Sequence, residues 1–212
     1  MTASAHLDTF ARDNLPPRAQ WPDFRFDLPE LQYPERMNCA VELLDRWVAA
    51  GHGERPCLIA PGETLTYAQL AERVNRIANV LTRDLGMVPG HRVLLRGPNS
   101  PMMVAAYLAV IKAGGVVVAT MPLLRAKEIA YPIQKAKIKV ALCDFRLDEE
   151  MEKARALVGG LERVVYWGGD GAEALETLAD LCAEVERTGR NRMDENMPHR
   201  ATAIVYIMLL CC

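Results

Sequence analysis

The sequence predicts an α/β protein: a doubly wound, mainly parallel sheet with flanking helices, preceded by an extended proline-rich arm. Three observations predict it. From residue 38 onward, short β-branched runs alternate with helix-length stretches; glycine or proline marks most of the junctions between them; and residues 1–37 carry five prolines without a helical or alternating period. Strands separated by helices of this length need crossover connections, and crossovers impose parallel pairing.

In the arm, Pro16, Pro17, Pro22, Pro29 and Pro34 fix φ and remove backbone donors, which favours extended chain. Trp21, Phe24 and Phe26 lie between them and predict that the arm rests against the body. Leu43, Leu44, Trp47 and Val48 then share a helical face that ends at Gly51. Pro56 to Ala60 and Thr64 to Tyr67 flank Pro61-Gly62-Glu63 and read as a β-hairpin. From Thr66 to Leu85, the residues Leu70, Val74, Ile77, Ala78, Leu81 and Leu85 form one stripe at the helical period. Thr66 and Gln69 fit a capping box, and Gly86 fits the stop.

Pro89-Gly90 predicts a turn into a strand over Arg92 to Arg96. Ser100-Pro101 is a helix start. Met102 to Ile111 is apolar on nearly every side, which predicts a buried helix closed by Gly114-Gly115. Val116 to Thr120 has the β-branched composition of a central parallel strand. The cycle repeats with a helix over Arg125 to Lys135, a strand over Lys139 to Cys143, a helix over Leu147 to Leu157 and a strand over Arg163 to Trp167. A last helix, Ala172 to Arg187, leads through a polar linker to an apolar run over Ala201 to Cys212. The expected division is residues 1–37 as arm, 38–200 as the α/β portion and 201–212 as a divergent tail.

Composition excludes several functions. Lys plus Arg number 25 against 27 Asp plus Glu, so the chain lacks the basic field that attracts nucleic acid, and no nucleic-acid partner is expected. None of the six cysteines forms a C-x-x-C pair, and His6, His52, His91 and His199 are scattered, so metal-ligand spacing is absent. Cys143, after Val140-Ala141-Leu142, reads as a small buried hydrophobe. The 12-residue apolar run over 201–212 falls short of the roughly 20 residues of a membrane span. The first residues lack a cationic stretch followed by an apolar one, so no membrane partner and a cytoplasmic location are expected.

Four segments resemble one family. Leu65-Thr66-Tyr67-Ala68-Gln69-Leu70 is similar to the "LTYxEL" motif of adenylate-forming acyl-CoA synthetases and related AMP-ligases. Ile111-Lys112-Ala113-Gly114-Gly115, running into Val116 to Pro122, resembles their "LKAGxxxVP" motif. Gly90-His91-Arg92-Val93 and Gly97-Pro98-Asn99-Ser100 stand where that family has "GDRV" and "xPNS". Asp8 to Arg12 with Trp21, and Ala119 to Glu128, look closest to the benzoate and 2-aminobenzoate CoA ligase branch.

The resemblance implies an ATP-dependent acid–CoA ligase, in which a carboxylate is joined to the α-phosphate of ATP with release of pyrophosphate, and the acyl group then passes to the thiol of CoA. ATP, Mg²⁺, CoA and an aryl carboxylic acid are therefore the implied ligands of the full-length family. That family grips the triphosphate with a Ser/Thr/Gly-rich loop followed by Lys, a later Tyr-Gly-x-Thr-Glu segment, and a Lys on a small C-terminal domain. Here Ala203-Ile204 is followed by Val205-Tyr206-Ile207-Met208-Leu209-Leu210-Cys211-Cys212. The expectation is an N-terminal fragment, inactive alone, with no catalytic, cofactor-binding or metal residue assigned and no cofactor of its own. The alternative is a non-catalytic module that complements a separate catalytic half or binds CoA.

Other patterns have plainer readings. Gly169 to Ala174 fits G-x-G-x-x-A, but it follows a late strand and reads as a strand-to-helix turn. Lys135, Lys137 and Lys139, with Arg125 and Lys127, could meet CoA phosphates, but they match a solvated face near a helix end. Asp144, Asp148, Glu149, Glu150 and Glu152 gather at a helix start, where the dipole favours them. Met102, Met103 and Tyr107 read as core before pocket lining, and His91 as a polar strand edge. Tyr67 and Lys112 belong to the matched motifs, and packing or solvation accounts for both.

Overall fold

The computed structural model describes residues 5–34, 36–169 and 174–176. The expected helix over Ala172 to Arg187 (apart from residues 174–176), most of the Gly169–Ala174 pattern and the run over residues 201–212 lie outside the described residues.

A one-turn helix, α1 (Phe10–Asp13), opens the arm, and two wide helical turns, Val41–Asp45 and Val48–His52, follow it. A hairpin of β1 (Pro56–Ala60) and β2 (Glu63–Thr66) leads into α2 (Tyr67–Asn79). Next come β3 (Arg92–Arg96), α3 (Pro101–Lys112), β4 (Val116–Thr120), α4 (Ala126–Lys135), β5 (Val140–Asp144), α5 (Asp148–Leu157) and β6 (Arg163–Trp167). The sheet runs β4-β3-β5-β6, with every pair parallel.

Side-chain alternation splits the sheet between two cores. Val93, Leu95, Val140, Leu142, Val165 and Trp167 join the core of α2 and α3. Leu94, Val118, Ala141 and Cys143 join that of α4 and α5. Strands buried on both faces need apolar residues at odd and even positions alike, which is why they read as continuous hydrophobic runs. Each large apolar side chain so buried contributes about 1.5–3 kcal/mol.

Local signals act as expected at several boundaries. Thr66 accepts from the Gln69 N–H and the Gln69 side chain accepts from the Thr66 N–H, completing the capping box. Beyond Asn79 the helix widens over Val80–Asp84 and stops at Gly86. Ser100 accepts from the Met103 N–H at 3.2 Å, with Pro101 in the first helical position. Helix α4 closes with Ile138 N–H donating to Ile133 O (2.9 Å) and Lys137 N–H to Gln134 O (3.3 Å), and Lys137 takes a left-handed φ of 49°.

Three expectations need correction. The face of Leu43, Leu44, Trp47 and Val48 is not continuous: Leu44 is buried, whereas Leu43 and Trp47 are exposed, because the widened turns rotate successive side chains off a single stripe. The arm aromatics stack on one another more than on the body. Phe24 and Phe26 lie parallel with ring centres 6.2 Å apart, flanked edge-on by Trp21 and Tyr33, and Phe24, Phe26 and Tyr33 are exposed. Val116–Thr120, expected in the centre, is an edge of the sheet among the described residues.

The arm is moored instead near its start. Leu7 and Asp8 N–H groups both donate to Pro89 O at 3.0 Å, and the Asp8 carboxylate meets Arg92 at 2.7 Å. The Arg92 guanidinium lies 4.6 Å from the centre of the Phe10 ring. A Cβ on Gly90 would stand 2.1 Å from the Asp8 carbonyl oxygen, so only glycine admits the arm there.

Candidate functional site

Open parallel sheets place ligands in the crevice beyond the carboxyl ends of their strands, where the chain order reverses. In this sheet β3 leads to β4 on one side and the chain then returns to β5 on the other. A cavity of about 790 Å³ opens at that end, between α2, the start of α3 and the last residues of β5 and β6. Leu65, Ile77, Met102, Trp167 and Leu175 give it apolar walls, and the helix start at Ser100-Pro101 faces it. Met102 therefore lines a cavity as well as packing against the core.

Its guanidiniums are already matched. Arg73 meets Glu63 at 2.7 Å, Arg76 pairs with Glu72 one helical turn away, and Arg146 reaches both Asp144 oxygens at 2.8 and 2.9 Å. Hydrogen bonds from Arg146 outweigh burial and hold the Asp144 carboxyl below its ordinary range. Glu176 accepts from the Gly168 N–H at 2.9 Å. With Glu63, Glu72, Asp144 and Glu176 against Arg73, Arg76 and Arg146, the lining does not offer a triphosphate a net positive field. These residues do not fit a Mg²⁺–ATP cradle, and no catalytic step is derived through them. Among the described residues, no group of three His, Cys, Asp or Glu is placed to hold a metal.

The structure spreads the other candidate residues among separate local contacts and does not gather them into one site. Lys135 donates to the Tyr131 hydroxyl, Lys137 lies over the Phe10 ring, Lys139 pairs with Glu162 and Arg125 with Glu150. Of the acidic group, Asp144 binds Arg146 and Glu149 binds Lys153, while Glu152 accepts from Tyr166. Glu150 accepts from the Ala126 N–H at 2.8 Å, so it serves the start of α4 although it belongs to α5. Lys112 pairs with Asp45. Tyr67 packs against the α2–α3 core, and His91 accepts from the Val88 N–H at 3.4 Å. Cys143 is fully buried, and burial pushes its thiol up to about 12.

Sequence reasoning passed over Arg96. The residue is 1 % exposed, and its guanidinium donates to the carbonyls of Met121 (2.8 Å), Pro122 (2.9 Å) and Leu124 (2.8 Å). Arg96 thereby fixes the loop between β4 and α4. Beside it, a Cβ on Gly97 would stand 2.4 Å from the Trp167 ring, so glycine lets β6 close over the end of β3. A charged residue ending an otherwise apolar strand was the available signal, because a buried guanidinium must find several acceptors.

No helix among the described residues is long and apolar enough to cross a membrane. Residues 45–208 match the family described as AMP-binding enzyme. The benzoate–CoA ligase of Thauera aromatica is 30% identical over 168 residues, covering 79% of this chain and 32% of that protein. The 3-hydroxybenzoate–CoA/4-hydroxybenzoate–CoA ligase of the same organism is 33% identical over 152 residues, covering 71% of this chain and 28% of its own length. The chain thus spans about a third of the length of these curated relatives. A crystal structure of an anthranilate CoA ligase in complex with anthranoyl-AMP shares the fold with a TM-score of 0.67 at 22% identity, over 73% of this chain and 30% of that one. A benzoate CoA ligase from Burkholderia xenovorans LB400 shares it with a TM-score of 0.60 at 23% identity, over 68% and 28%.

Proposed function

The chain belongs to the AMP-binding enzyme family, and from that premise we propose that it supplies the amino-terminal α/β portion of an ATP-dependent aryl-acid CoA ligase. In this reading residues 1–37 are the arm and 38–200 the α/β portion, acting in the cytoplasm. The acid is benzoate-like, and ATP, Mg²⁺ and CoA serve the assembled enzyme. No residue of this chain is assigned a catalytic role, and the chain alone does not activate an acid.

The observation that carries the proposal is the 30% identity to a benzoate–CoA ligase across most of this chain. The crevice supports the second half of the reading, since its guanidiniums are each met by a carboxylate and leave little for a polyphosphate to bind. The test is acid-dependent exchange of pyrophosphate into ATP. The 212-residue chain with benzoate or 2-aminobenzoate gives no exchange above background, and the same chain assembled with the missing two thirds of the ligase restores it. Robust exchange by the chain alone overturns the inactive reading. Exchange that the assembled enzyme shows only with aliphatic acids overturns the substrate class.

A further inference from the structure

We draw no further inference here: the strongest candidate, the Glu176 carboxylate that stands beyond the three ion pairs of the crevice between α2, the start of α3 and the ends of β5 and β6, belongs to the site already described and adjoins in sequence residues outside the described ones, so nothing in the structure shows what covers it.

Discussion

Arg92 and Arg96 stand at opposite ends of β3, both buried, and each binds a different kind of partner. Arg92 neutralises a carboxylate, Asp8, from a segment more than eighty residues away, and also donates to the carbonyls of Gly90 and Ala136 at 2.9 Å. The hydrogen bonds of Arg96 go to three carbonyls of one loop. The first side chain recruits a distant piece of chain through charge, and the second shapes a neighbouring loop through dipoles. Titration therefore reaches the amino end of the sheet first, and packing defects fall hardest on the carboxyl end.

The sharpest way to break this contrast is Arg96→Met. It leaves the inward carbonyls of Pro122 and Leu124 without their donor and Met121 O with only the Leu124 N–H, and should lower the free energy of unfolding by about 3 kcal/mol, read from a urea titration. A loss under about 1 kcal/mol would mean that the loop turns to water instead, and that Arg96 is not its support. Next, Gly97→Ala forces the Trp167 ring away from the sheet and should cost about 2 kcal/mol, with a changed Trp167 emission. At the other end, Asp8→Asn keeps shape but removes charge. It should cost about 1 kcal/mol and speed hydrogen exchange at the Leu7 and Asp8 amides, leaving the Met121–Leu124 loop unaltered.

The smallest effect is the one with pH. Burial holds His6 and His91 below the ordinary histidine range, although Asp8 pulls both the other way. The unfolded chain therefore takes up protons first as pH falls through about 6.5, and the arm mooring weakens there by under about 1 kcal/mol. Burial pushes the Asp8 carboxyl up, but Arg92 and the Phe10 N–H outweigh it and hold it low. Its contribution, like that of Asp144, persists above the ordinary carboxylate range and disappears as pH falls through the depressed folded value. Hydrogen exchange at pH 7 and about 5 checks the order of release, and simultaneous loosening of both ends of β3 would erase the distinction.

Much of the fold was legible because it is specified locally. Ser100-Pro101, Thr66 with Gln69, and Gly86 act within one turn of themselves, and short apolar runs mark β3, β4 and β6 with the observed bounds. What escaped is set over longer distances. Whether Val116–Thr120 lies inside or at an edge depends on which strands are present, which its own composition cannot encode. Leu43 and Trp47 were misplaced because widened turns break the period used to read a helical face. The crevice was invisible for the same reason as Glu63–Arg73: its walls come from separate segments, and no spacing rule brings them together. The four motifs of the family resemblance span residues 64 to 122, and these include β3, α3 and β4.

The left-handed Lys137 closing α4 has a consequence for anyone altering the protein. Glycine would make that turn with about 1 kcal/mol less backbone strain. Lysine instead keeps an ammonium 5.4 Å from the centre of the Phe10 ring, helping to seat a segment far earlier in the chain. One position thus answers to two masters, the helix it terminates and the strap it fastens. An engineer seeking a sturdier body and one seeking a better-fastened strap would make opposite choices there.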